Sequence, residues 1–142
     1  MNLHSSGALF LSDIYGIIKH DDSLYATQEE CNIAKYMQTR TVEFRKIIDK
    51  ENALRVRFQL SNGIVTHFVV QLECLIDGEW TPVIRYDTAH GFAHMDKLHP
   101  SQPAEKIELE TQDYNKALTV AMDDLSKNWM VYHKRYIRWK KK

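Results

Sequence analysis

The 142-residue chain is 44% hydrophobic and 27% charged with a formal net charge of zero, the composition of an ordinary globular domain and not of a disordered tail or a fibre. No run approaches the roughly 18 apolar residues that cross a bilayer, and Met1 to Gly7 lack the basic flank and apolar stretch of a signal peptide, so a cytoplasmic protein is expected. Cys31 and Cys74 are the two cysteines, too few for a disulfide framework or a thiolate zinc knuckle; both should be reduced and Cys74 buried.

In chain order, residues 1–40 read as an N-terminal arm: an apolar stretch from Ala8 to Ile18, a loop at His20-Asp21-Asp22-Ser23, and a short helix from Thr27 to Gln38 with Thr27 and Glu30 as a capping box. Thr41 to Ile48 is expected to form an edge strand. Leu54, Val56, Phe58 and Leu60 then alternate with Arg55, Arg57 and Gln59, the period of a half-buried strand. Ser61-Asn62-Gly63 supplies a turn, after which Phe68, Val70, Leu72 and Cys74 alternate with His67, Gln71 and Glu73. Asp77-Gly78 marks a second turn, followed by Trp80, Pro82, Ile84 and Tyr86 in alternation with Thr81, Val83, Arg85 and Asp87. Pro100-Ser101-Gln102-Pro103 is a loop, and Glu105 to Glu110 alternates again with Ile107 and Leu109 inward. Thr111 is a plausible N-cap for a long helix whose stripe of Tyr114, Leu118, Ala121, Met122, Leu125, Trp129, Tyr132 and Tyr136 has helical spacing.

These elements predict a single α+β domain: an antiparallel meander of about five to six strands over residues 41–110, packed on a C-terminal helix with a basic tail over 111–142, behind the short helical arm. From Ser126 onward there are seven lysines and arginines and no acidic residue. Interleaved aromatics among them suit phosphate and base together, which puts Lys134, Arg135 and Arg138 among the candidate substrate contacts. The alternative is that these cations suit the helix dipole and that Lys140 to Lys142 fray in water.

The chemistry is concentrated in Arg85-Tyr86-Asp87-Thr88-Ala89-His90-Gly91-Phe92-Ala93-His94-Met95-Asp96-Lys97-Leu98-His99, which holds three of the seven histidines. Histidine exchanges protons near neutral pH and is the commonest metal ligand. With the apolar face under the helix, the other face gathers Arg55, Arg57, Gln59, His67, Gln71, Glu73, Arg85 and Asp87, and Arg55, Arg57, His67 and Glu73 are expected to contact substrate. Gly91 allows the sharp turn that brings the return strand back against Arg85 and Asp87. Cleavage of RNA through its own 2′-hydroxyl needs a base, an acid and fixed cations. His90 and His94 would serve as acid and base, Arg85 and Arg57 as phosphate stabilisers, Asp87 as the group orienting a histidine, and Tyr86 as an accessory. No cofactor is then required. A second reading is a zinc or iron site built from His90, His94, Asp96 and His99. A third is a non-enzymatic module binding RNA, another polyanion or a protein partner.

The stretch from Val65 to His99 resembles a family of small prokaryotic proteins known only as a domain of unknown function. The resemblance rests on Phe68-Val69-Val70-Gln71-Leu72-Glu73, Gly78-Glu79-Trp80-Thr81-Pro82-Val83 and the run from Arg85 to Asp96. Arg85-Tyr86-Asp87 followed by His90 and His94 is also similar to the TumE-like toxins of toxin-antitoxin modules, although the Pro-His-His run of those proteins is absent here. That resemblance implies a toxin-type nuclease and a cognate antitoxin as partner.

Overall fold

The computed structural model describes residues 38–142, so the expected N-terminal helix, its capping box and Cys31 lie outside the described residues. Six strands form one antiparallel sheet in sequence order: β1 (Thr39–Asp49), β2 (Asn52–Ser61), β3 (Ile64–Ile76), β4 (Glu79–Asp87), β5 (His94–Lys97) and β6 (Glu105–Glu108). Among the described residues one helix, α1 (Tyr114–Lys140), covers one face. The meander follows from the turns. Asn62 and Gly63 both have positive φ, as do Asp77 and Gly78, the geometry of tight hairpins between right-twisted strands.

The buried side of the sheet carries Leu54, Val56, Phe58, Phe68, Val70, Leu72, Cys74, Ile84, Tyr86 and Met95, and α1 lays Ala117, Leu118, Ala121, Met122 and Leu125 against them. Apolar area removed from water on both surfaces is the main stabilising term. The helix runs along β3. At its start Asn115 Oδ1 accepts the Val65 N–H at 3.0 Å; at its end Lys140 reaches Asp77 in the β3–β4 turn. That pairing anchors Lys140 and corrects the expectation that the terminal lysines fray from this residue on. Thr111 is not the N-cap. Asp113 is, its carboxylate accepting the Asn115 and Lys116 N–H groups while Thr111 Oγ1 accepts the N–H of Asp113.

Register shifts interrupt the β1–β2, β2–β3 and β3–β4 pairings, and the one in β4 sets which residues reach the site. Leu72 pairs with Ile84 but Glu73 pairs with Pro82, so Val83 is an extra, buried residue in β4. A bulge of this kind moves every residue beyond it to the opposite face. Ile84 and Tyr86 therefore face the helix while Trp80 and Pro82 lie on the other side, where Trp80 receives the guanidinium of Arg45 at 4.2 Å from its ring centre. Proline at a bulge is expected, because it cannot donate to the ladder.

Candidate functional site on the polar face of the sheet

Register places the polar residues together. Gln71 is opposite both Arg55 and Arg85, Val69 opposite both Arg57 and Asp87, and His67 opposite Gln59. Asp87 pairs with His94 and Arg85 with Asp96; on the far side Asp96 pairs with Lys106 and His94 with Glu108. Opposed residues in an antiparallel pair share a face. Arg55, Arg57, Gln59, His67, Gln71, Glu73, Arg85, Asp87, His94, Asp96 and Lys106 therefore belong to the face opposite α1.

Two features stand at its β4–β5 end. The first is a buried polar cluster. His94 is only 1% exposed, and Asp87 and Asp96 are buried beside it. The His94 Nε2 lies 3.0 Å from Asp87 Oδ1, 3.6 Å from Asp96 Oδ2 and 3.3 Å from Lys106 Nζ. Its Nδ1 is 3.2 Å from the Phe92 carbonyl oxygen, an acceptor only, so Nδ1 carries the hydrogen and the ring is held in one orientation. Asp87 Oδ1 also accepts the Ala89 N–H at 2.9 Å, an Asx turn that starts the β4–β5 loop. Gly91, at φ +82°, closes that loop with its N–H on the Thr88 carbonyl. The exposed His90 ring stacks on His94 with ring centres 5.6 Å apart.

The second feature is a cavity of about 300 Å³ lined by Thr41, Arg57, Gln59, His67, Thr88 and Ala89. Phe58, Phe68 and Val69 also contribute to its lining. The His67 Nδ1 sits 3.1 Å from Gln59 Oε1 and 3.3 Å from Thr66 Oγ1. Donating Nδ1–H to the Gln59 oxygen leaves Nε2 with a lone pair. Arg57 is exposed and faces Glu43 of β1 at 3.7 Å. Ala89 belongs to the cavity wall and His90 is the next residue, so the two features adjoin.

Several expected site residues are placed elsewhere. Tyr86 is on the helix side, where its hydroxyl donates to Asp124 Oδ2 at 2.7 Å; the Tyr132 hydroxyl donates to the same oxygen at 2.7 Å. Burial, and then the Asp124 carboxylate, raise both phenols above their ordinary pKa. A proton that firmly held, one strand face away from Asp87, is no accessory to chemistry at His90. His99 leaves the cluster too: its ring stacks on Trp139 at 4.7 Å, and its Nδ1 accepts the N–H groups of Ser101 and Gln102. Glu73 is buried and engaged by Arg55, Arg45 and Gln71, so it holds arginines in place and is not a substrate contact. Arg85 is positioned by its Nε–H donating to Gln71 Oε1 at 3.0 Å. His94 lies beneath His90, out of reach of a substrate that stays on the surface.

In the basic tail, Arg135 lies between the rings of Tyr132 and Trp139, 5.2 and 4.9 Å from their centres, and burial lowers its pKa. Lys134 and Arg138 remain exposed beside an apolar depression formed with Met130, His133 and Ile137. Sequence reasoning passed over Lys106, Asp124 and His133. Lys106 was within reach, since the alternation that pairs Ile107 with Met95 turns Lys106 toward Asp96; Ile107 itself, expected inward, is exposed because β6 is the edge strand. His133, whose Nδ1 meets the buried Asn52 Oδ1 at 2.8 Å, gives no local signal because its partner is 81 positions away.

Residues 37–142 match the domain of unknown function DUF7718. The chain belongs to this family. The match spans the whole sheet and α1 of this DUF7718 chain, with the cluster and the cavity inside it. No curated protein and no solved structure matches it. Among the described residues no helix is long and apolar enough to cross a membrane.

Proposed function

We propose that the chain is a ribonuclease-like protein, of the kind found as toxins, that cleaves RNA through the 2′-hydroxyl at the β4–β5 end of the polar face. The carrying observation is the cavity of about 300 Å³ lined by an exposed guanidinium, Arg57, by the imidazole of His67 and by Ala89, the residue before the exposed His90. A volume near 300 Å³ is at the lower end of what small ligand groups occupy. His67 Nε2 takes the 2′-hydroxyl proton, the 2′-oxygen attacks phosphorus, and the bond to the 5′-oxygen breaks as protonated His90 supplies a proton to the leaving oxygen. Arg57, with Arg55 and Arg85 further along the face, neutralises the phosphorane charge. His94, fixed by Asp87 and the Phe92 carbonyl, positions the His90 ring and does not touch substrate. The products are a 2′,3′-cyclic phosphate and a free 5′-hydroxyl. RNA is the substrate and a small antitoxin the proposed protein partner.

The test is cleavage of total RNA by the full chain in EDTA, alongside His90→Ala and His67→Ala. Cyclic-phosphate ends, with a loss of about two orders of magnitude or more in either variant, support the reading. No cleavage, or cleavage indifferent to both substitutions, refutes it.

A further inference from the structure

We propose that Asp87, His94 and Asp96 form a binding site for a divalent transition metal such as Zn²⁺ or Mn²⁺. The proposal goes beyond the RNA reading and does not depend on it. Its starting point is an electrostatic conflict. With Nδ1–H committed to the Phe92 carbonyl, Nε2 faces two carboxylate oxygens, 3.0 and 3.6 Å away, where either a proton or a metal ion would sit. Two buried carboxylates converging on that nitrogen call for positive charge, which a metal ion would supply more fully than the Lys106 ammonium at their edge. All three candidate ligand atoms lie within 4.8 Å of one another. Ligands about 2.0–2.2 Å from a metal stand roughly 3.0–3.6 Å apart in tetrahedral or octahedral geometry, which matches the two distances from Nε2.

Three further features fit. A metal-bound histidine usually donates its other N–H to a carbonyl or carboxylate, as His94 does to Phe92. Asp87 Oδ1, the oxygen nearest Nε2, is held in place by the Ala89 N–H that it also accepts. Asp96, 8% exposed, turns Oδ2 toward His94 Nε2, while its Oδ1 accepts no hydrogen bond and has only the Lys106 ammonium beside it at 3.5 Å. One imidazole and two carboxylates suit Zn²⁺, Mn²⁺ or Fe²⁺ better than the soft-ligand metals.

Lys106 provides the discriminating handle. Its ammonium is 3.3 Å from Nε2 and 3.5 Å from Asp96 Oδ1, a cation already drawn to the place a metal would take. It competes with metal for the same electron pairs. The alternative occupant is a proton on Nε2, which would make the cluster a closed ion-pair network of His94, two aspartates and Lys106.

The experiment is calorimetric titration of the chelator-stripped full chain with ZnCl₂ and with MnCl₂, with thermal melts in parallel. Wild type, Asp96→Asn and Lys106→Met are compared. Expected are one equivalent bound at this site, affinity lowered at least about tenfold in Asp96→Asn, tighter binding in Lys106→Met, and a melting point raised by metal in wild type. Should Asp96→Asn fail to fold, the Lys106→Met comparison still decides. Absence of binding by wild type, or binding left unchanged by both substitutions, overturns the proposal.

Discussion

Replacing Tyr86 with phenylalanine separates structure from chemistry at the centre of the Arg85-Tyr86-Asp87 run. The phenol is buried under α1 and donates to Asp124 Oδ2 at 2.7 Å. Hydrogen bonds to charged groups are worth about 1.5–3 kcal/mol. Asp124 would keep two partners, Tyr132 at Oδ2 and Asn128 at Oδ1, and no buried polar atom would be left alone. The loss should therefore fall at the lower end, about 1–2 kcal/mol, or roughly 4–12 °C in melting temperature for a domain near 100 residues. Urea unfolding followed by far-UV circular dichroism measures the stability, and the RNA assay measures turnover below the variant's melting temperature. Stability should fall and turnover should not change. Unchanged stability with turnover reduced a hundredfold would refute the placement of Tyr86 on the helix side.

Alkaline pH should weaken the fold by a calculable sign. Burial first, and then the Asp49 charge, push the Cys74 thiol from 9.0 up to about 12, while Tyr86 and Tyr132 are raised from 10.0. The unfolded chain releases these protons before the folded one does, so stability is full below about pH 9 and declines above it, by up to about 1.4 kcal/mol per pH unit for each group; Cys74→Ala should remove the onset between pH 9 and 10 in denaturant titrations. Leu125→Ala, at a fully buried position of α1 against the sheet, should cost about 2–5 kcal/mol by the same measurement. Gly91→Ala places a side chain at φ +82°, and about 1 kcal/mol of strain or more is expected from thermal melts.

Much of this architecture was legible because hydrophobic alternation and turn residues are local signals. Arg55, Arg57 and Gln59 fall on the face that their period requires, and Asn62-Gly63 and Asp77-Gly78 turn where their dihedral preferences allow. Legibility failed where one residue changes phase or where a partner is distant. The extra Val83 leaves Tyr86 facing the helix with Ile84 while Trp80 and Pro82 change sides, and no propensity reports a bulge in advance. Thr111 and Asp113 are both capable caps, and only the start of the helical hydrogen bonds selects Asp113. The meeting of Asp87 with His94 was readable from the return of β5 after Gly91. That His94 would be buried and its neighbour His90 exposed was not, since both occupy similar sequence surroundings.

The claim that the polar sheet face, and not the basic end of α1, meets nucleic acid is tested most directly by backbone amide NMR during titration with a non-cleavable RNA oligonucleotide carrying a 2′-deoxy substitution at the scissile position. Shifts concentrated at Arg57, Gln59, His67, Thr88, Ala89 and His90 are predicted. Shifts confined to Lys134, Arg138 and the last residues of the chain, with the sheet silent, would contradict it.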